Sequence, residues 1–76
     1  MWVRELDKRK TALAANIKEI RLERGLAQEK LALDAGVDRT LVSKIERLIA
    51  NPSLETLVKL AIVLKVPVTT LLVERK

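Results

Sequence analysis

The chain has 76 residues and a mass of 8.6 kDa, which is the size of one domain with one small core. It contains no cysteine and no histidine, so disulfides, the usual zinc ligand sets and catalytic sites built on His or Cys are excluded. Trp2 is the only aromatic residue, which excludes a single-strand binder that stacks bases on aromatic side chains. Fifteen Lys and Arg against ten Asp and Glu give a net charge of +5 and a pI near 10.0, which favours a polyanionic partner.

The distribution of apolar residues predicts a cytoplasmic protein without a membrane segment. Residues 1–7 are too charged for the apolar centre of a signal peptide. The longest unbroken apolar run, residues 60–64, is far shorter than the roughly 20 residues that span a bilayer. The residues present also predict no cofactor, no metal and no small-molecule ligand.

Glycine and proline divide the chain into segments of helical length. The positions are Gly25, Gly36, Pro52 and Pro67. Between them apolar side chains recur with helical spacing, and no segment alternates like a strand between two turns. The sequence therefore predicts an all-α protein with five helices in a single domain over residues 1–76.

The first two predicted helices precede Gly36. The first carries Leu13, Ile17 and Ile20 on one face, with Leu6 as a further candidate, and stops at Gly25. Residues 1–10 are expected to form an N-terminal extension. The second runs over residues 28–35, and Gly36 ends it in a left-handed conformation.

Three helices are predicted after Gly36. The third begins after an N-cap at Asp38 and runs to about Arg47. Ser53 caps the fourth, over residues 54 to about 65, and the fifth covers residues 68–73 after Pro67.

The outer face of the third predicted helix is basic and able to form hydrogen bonds. Val42 and Ile45 point inward, while the opposite arc of about 140° carries these residues: Arg39, Thr40, Ser43, Lys44 and Arg47. No acidic residue falls in that arc. Such a face suits the major groove, which admits an α-helix. An ordinary solvated helix face is the alternative.

Three stretches, residues 25–32, 35–39 and 42–47, resemble the Cro/repressor (XRE-like) helix-turn-helix family, and residues 51–54 and 57–61 continue the pattern. The resemblance covers about residues 13–72. It implies a compact five-helix domain of the lambda-repressor type, with its helix-turn-helix motif over about residues 28–47. Within the family, the start Asp38-Arg39-Thr40 and the pair Val66-Pro67 resemble the controller proteins of restriction–modification systems.

The resemblance also implies roles for single residues. The positions implied to read bases are Arg39, Thr40, Ser43 and Lys44. Gln28 and Arg47 match positions that contact DNA phosphates, and Arg21 and Glu46 match a buried structural ion pair.

The sequence departs from the family pattern at the ends of three helices. Ala27 occupies the usual Ser or Thr N-cap of the second helix, and Lys65 replaces a common terminating glycine. Leu48 replaces the glycine that usually ends the recognition helix, so we expect that helix to continue toward Ala50, with Asn51 as the left-handed residue.

The fourth helix is apolar nearly all round, which predicts burial on two sides. One small core cannot cover this surplus, so residues 54–73 are expected to form a symmetric homodimer interface. The residues assigned to that interface are Val58, Ile62, Val63, Leu71 and Leu72. Alternatively, the extension over residues 1–10 folds back and covers the patch.

Together these features predict a transcriptional regulator that binds double-stranded DNA. A homodimer with residues 39–47 in the major groove would read a pseudo-palindromic operator, and the protein would be associated with the nucleoid. The alternative is an antitoxin that binds a toxin and its own promoter. An enzyme is not expected, because no pair of residues makes an activated nucleophile.

Overall fold

Four α-helices and one short 3-10 helix form the fold of residues 1–75, which are the residues that the computed structural model describes. In chain order they are α1 (Trp2–Glu23), α2 (Gln28–Ala35), α3 (Leu41–Glu46), α4 (Leu54–Leu64) and the 3-10 helix Val68–Leu71. These residues include no strand, and the predicted all-α class is confirmed. The last residue of the predicted domain, 76, lies outside the described residues.

The predicted fifth α-helix over residues 68–73 is wrong. After Pro67 the chain makes a 3-10 helix of four residues and then leaves helical structure. Val68, Thr69 and Thr70 are β-branched, and such side chains lose rotamer freedom in an α-helix. The segment therefore closes the core with a single tight turn of helix.

One apolar core holds the helices together. Leu13, Ile17 and Ile20 of α1 form one core cluster with buried residues of the other elements, Leu71 of the 3-10 helix included. α1 contacts α3 and the 3-10 helix, while α2 contacts α3 and α4. Within the described residues, no helix has the length and apolarity needed to cross a bilayer.

The N-terminal extension is the beginning of α1 rather than a separate arm. Arg9 Nη1 donates to the Leu72 carbonyl over 2.7 Å, and the buried Asn16 amide donates to the Val73 carbonyl over 2.8 Å. These bonds hold the C-terminal segment along α1. The alternative in which residues 1–10 fold back over α4 is wrong, since Ile62 remains 70% exposed.

The third helix is shorter at both ends than predicted. It begins at Leu41 and ends at Glu46, and Thr40 rather than Asp38 is its N-cap residue. Arg39 and Thr40 therefore lie in the turn before α3 and not on its face. The turn is stable without helical structure, because its main-chain and side-chain groups bond to Asp38.

The expected continuation of the third helix to Ala50 is also wrong. Leu48 itself takes the left-handed conformation, with φ +65°. The N–H of Leu48 bonds to the Ile45 carbonyl and the N–H of Ile49 to the Lys44 carbonyl, both at 3.0 Å. This is a Schellman ending without glycine. Lys65 ends α4 in the same way, with φ +61°.

Candidate nucleic-acid interface

The second helix, the turn and α3 have the geometry of a helix-turn-helix. Gly36 follows α2 with φ +71°, a conformation that costs glycine little. The N–H of Val37 then bonds to the Ala32 carbonyl over 3.0 Å. Ala32 is fully buried. Because its side chain is small, the two helices can approach closely. The predicted left-handed turn at Gly36 is confirmed.

The turn between the two helices is closed by Asp38. Its Oδ1 accepts the N–H of Thr40 over 2.8 Å and the hydroxyl of Thr40 over 2.6 Å. Its carbonyl accepts the N–H of Leu41 over 3.0 Å. The Thr40 hydroxyl, then the Thr40 N–H, lower the pKa of Asp38 below its ordinary value, and the charges of Lys44 and Arg39 add to this. Asp38 is therefore ionised at neutral pH.

Beyond this turn, α3 presents a polar outer surface. Val42 and Ile45 are buried and anchor the helix. Arg39, Lys44 and Arg47 are exposed. Within residues 1–75 neither Arg39 nor Lys44 forms an ion pair. These three residues, together with Thr40 and Ser43, are called the basic face.

The basic face also contains the two hydroxyl residues that were assigned to base reading. Thr40 is exposed and Ser43 is half-buried. Arg47 Nε donates to Ser43 Oγ over 3.2 Å, so the Arg47 side chain lies back along the helix. The structure thus brings the predicted base-reading residues to one side of the molecule, although two of them precede the helix.

A buried polar cluster supports the basic face from inside. Arg21 Nε lies 2.8 Å from Glu46 Oε2, with exposed side-chain fractions of 9% and 7%. Arg21 also donates to Glu46 Oε1 over 3.1 Å and to the Leu26 carbonyl over 2.8 Å. Gln28 Nε2 donates to Glu46 Oε1 over 3.0 Å. The cluster ties α1 and the start of α2 to α3.

The Gln28 contact was not anticipated from the sequence. Gln28 is half-buried, and one of its amide donors is used by Glu46. An amide has two hydrogens on nitrogen, which leaves one for another acceptor. The Asp38–Thr40 contact was missed as well, although an Asp side chain in a turn commonly accepts the backbone N–H two residues on.

The apolar surface assigned to a dimer interface is only partly exposed. Leu54, Val58 and Ile62 recur every four residues along α4 and are 68%, 40% and 70% exposed. This row is called the α4 stripe. Val63 and Leu72 are half-buried. The assignment of Leu71 is wrong: it is 0% exposed, because the 3-10 helix turns it into the core of its own chain.

The fold and this geometry define a compact helix-turn-helix domain with a basic outer face. A family model described as helix-turn-helix matches residues 17–71, and the chain belongs to this family. Relatives of this chain in the family are transcriptional regulators and not enzymes, in agreement with the prediction from the sequence.

Three relatives illustrate the similarity. The regulator SinR of Bacillus subtilis is 44% identical over 64 residues, which cover 83% of this chain and 58% of SinR. A solved structure of SinR in complex with DNA has a TM-score of 0.75 at 44% identity and covers 80% of this chain and 98% of that one. This chain therefore spans little more than half of the curated SinR protein.

The other two relatives are known from solved structures. The hypothetical transcription factor NHTF from Neisseria has a TM-score of 0.84 and 38% identity, covering 87% of this chain and 76% of that chain. The restriction–modification controller protein C.AhdI from Aeromonas hydrophila has a TM-score of 0.77 and 35% identity, covering 82% and 94%. The resemblance to controller proteins is confirmed, but they are not the most similar relatives: SinR has the higher identity and NHTF both the higher identity and the higher TM-score.

Proposed function

We propose that this protein is a transcriptional regulator that binds double-stranded DNA in a sequence-specific manner. The observation that carries the proposal is the basic face: exposed cationic and hydroxyl groups on one side of α3 and its preceding turn. A major groove about 12 Å wide admits such a helix. Membership of the helix-turn-helix family supports the same function.

Within this proposal the residues divide into two groups. Arg39, Thr40, Ser43 and Lys44 read base edges, since guanidinium, ammonium and hydroxyl groups match the donors and acceptors of the major groove. Gln28 and Arg47 contact phosphates, which fixes the position of the domain without selecting a sequence. Gln28 does so with the amide hydrogen that Glu46 leaves unused.

The α4 stripe supports a homodimer. Three large apolar side chains form one exposed row, and contiguous exposed apolar surface marks interaction sites. A second copy would bury the row symmetrically. Val73 is also exposed, and Val63 and Leu72 are half-buried. A two-fold dimer binds half-sites about 34 Å apart, so the operator is pseudo-palindromic. The protein acts in the cytoplasm at the nucleoid, where the DNA lies.

Selection of bound duplexes from a random pool at physiological salt tests this function. We expect enrichment of two inverted half-sites whose centres are about one helical turn, 10 base pairs, apart. A specific site should bind at least about 1,000-fold more tightly than random duplex. Failure to enrich any sequence with folded protein would contradict the proposal. Enrichment of single half-sites would contradict only the dimer.

The antitoxin alternative predicts a different occupant of the α4 stripe. A toxin would cover it in place of a second copy, and the chain alone would then be monomeric at micromolar concentration. The oligomeric state of the purified chain therefore tests whether a second copy covers the α4 stripe or leaves it available to a toxin.

A further inference from the structure

The hydroxyl group of Thr40 has a single hydrogen, and the carboxylate of Asp38 accepts it. Thr40 Oγ1 lies 2.6 Å from Asp38 Oδ1, and the N–H of Thr40 donates to the same oxygen over 2.8 Å. An ionised carboxylate can only accept hydrogen bonds, so in this pair the hydroxyl must be the donor. What remains for a ligand is the oxygen lone pairs and the methyl group of Thr40.

We propose that Asp38 determines a base preference of this protein by fixing the Thr40 hydroxyl as a hydrogen-bond acceptor. The inference rests on the proposed function, because it concerns how the basic face reads DNA. In the major groove the donors are the amino groups of adenine (N6) and cytosine (N4), whereas guanine O6 and N7 and thymine O4 accept. A hydroxyl without a free hydrogen can bond only to the amino groups.

The base facing the Thr40 hydroxyl is therefore adenine or cytosine. An unrestrained threonine could rotate its hydroxyl to serve any base, since the hydroxyl of a free side chain both donates and accepts. The contact with Asp38 removes that freedom before DNA arrives. Asp38 is a positioning residue: it acts through Thr40 and needs no contact with the base.

The charge of Asp38 has a second, separable effect. Its carboxylate is exposed beside Arg39 and Lys44, on the surface that the negatively charged duplex would approach. A negative charge there weakens binding to every sequence alike, because the phosphate attraction is independent of sequence. Removing the charge should raise affinity for random duplex, whichever residue replaces Asp38.

Three variants separate the two effects. Asp38→Ala removes both the acceptor and the charge. Asp38→Asn removes the charge but keeps an amide oxygen that accepts the same two hydrogen bonds. Thr40→Val removes the hydroxyl and keeps the shape of the side chain. The base pair at which this variant loses the wild-type preference is the one that Thr40 faces.

The binding of each variant is measured by fluorescence anisotropy at one fixed salt concentration, on the selected operator and on duplexes changed at that base pair. One duplex carries a base analogue without the amino group: purine for adenine, or pyrimidin-2-one for cytosine. Wild-type protein should lose about 5- to 100-fold in affinity for the changed duplexes. Asp38→Asn should keep this discrimination, while Asp38→Ala should reduce it by about fivefold or more. Thr40→Val should not distinguish the analogue from the natural base.

Several results would overturn the inference. Equal loss of discrimination in Asp38→Ala and Asp38→Asn would mean that charge, not the accepted hydrogen bond, is responsible. A guanine or thymine edge at the position of Thr40, or unchanged preferences in Thr40→Val, would also contradict it. Thermal unfolding monitored by circular dichroism checks that each variant is folded. Wild-type protein without any base preference would instead contradict the proposed function itself.

Discussion

α3 and α4 follow each other in the chain but expose different kinds of side chain. α3 and the turn before it present the cationic side chains of Arg39, Lys44 and Arg47. α4 presents the aliphatic α4 stripe. Both helices bury an inner row of apolar residues in the same core. The difference shows that the core fixes the inner rows, while the outer rows suit different partners, a polyanion and an apolar surface.

The two helices also end in the same way. Leu48 follows α3 and Lys65 follows α4 in left-handed conformations, each with the pair of hydrogen bonds of a Schellman motif. Gly25 and Gly36 do the same after α1 and α2. The ending of a helix in this domain therefore does not depend on glycine. The difference between α3 and α4 that bears on a partner is therefore their outer surface and not the way they end.

Removing Glu46 from the buried polar cluster behind α3 should have the largest effect. Glu46→Ala leaves the buried guanidinium of Arg21 without its carboxylate, and breaking a buried pair costs about 3–5 kcal/mol. Urea unfolding followed by circular dichroism measures the loss. Glu55→Ala is the control on α4: its pair with Lys59, at 3.1 Å, is exposed and should contribute about 1 kcal/mol or less. Equal losses of unfolding free energy in the two variants would contradict a stabilising role of the buried polar cluster.

The α4 stripe is tested by a charge at its most exposed position. Ile62→Asp should weaken self-association by about 2 kcal/mol or more, or about 30-fold, because the carboxylate would be buried against the second copy. Sedimentation velocity measures the mass distribution. Leu22→Asp is the matched control, since Leu22 is an exposed aliphatic residue of a different helix, α1. An unchanged mass in Ile62→Asp would remove the stripe from the interface.

The basic face is tested by two arginines with different assigned roles. Arg39→Ala should cost about 1–3 kcal/mol on the selected operator and relax the preference at one base pair. Arg47→Ala should weaken binding to all sequences and lower the slope of log K against log salt by about one. Titrations at several salt concentrations measure both. If the two variants lose specific and random binding equally, the division into base and phosphate contacts is wrong.

The smallest effect is expected at the helix ending. Lys65→Gly should stabilise the fold by about 1 kcal/mol, because glycine adopts positive φ without the steric cost of a β-carbon. Lys59→Gly, inside α4, should destabilise by about 1 kcal/mol. Urea midpoints of both variants, at equal protein concentration, give the comparison. A loss of stability in Lys65→Gly would mean that the lysine side chain contributes more than the left-handed conformation costs.

Local signals were enough to predict most of the helices. The bounds of α2 and the start of α4 agree with the sequence prediction, because Gly36 and Ser53 act within their own turn: the Ser53 hydroxyl accepts the N–H of Thr56 over 3.1 Å. The helical first half of α1 was predicted only in part, by Leu6 as a further candidate for the apolar face. Its apolar positions are too few for periodicity to detect, and it is held by contacts with the distant C-terminal segment, such as Arg9 with Leu72.

The candidate site was predicted by composition but not in its conformation. Arg39 and Thr40 were assigned to the basic face, yet the sequence placed them inside the helix. The competition that decides this is between a helical turn and the two bonds to Asp38 Oδ1. Periodicity cannot distinguish these alternatives, because both place the residues on the outside.

The amino-acid sequence by itself determined that this chain is a small, all-helical, basic domain of the helix-turn-helix kind, since spacing, caps and charge are properties of neighbouring residues. Only the tertiary structure decided where α3 stops, that Leu48 is left-handed, and that Leu71 belongs to the core rather than to a partner. Leu71 is buried by residues far from it in the chain, whereas Leu48 is held left-handed by hydrogen bonds to the last turn of α3. In both cases the contacts outweigh a local preference of about 1 kcal/mol.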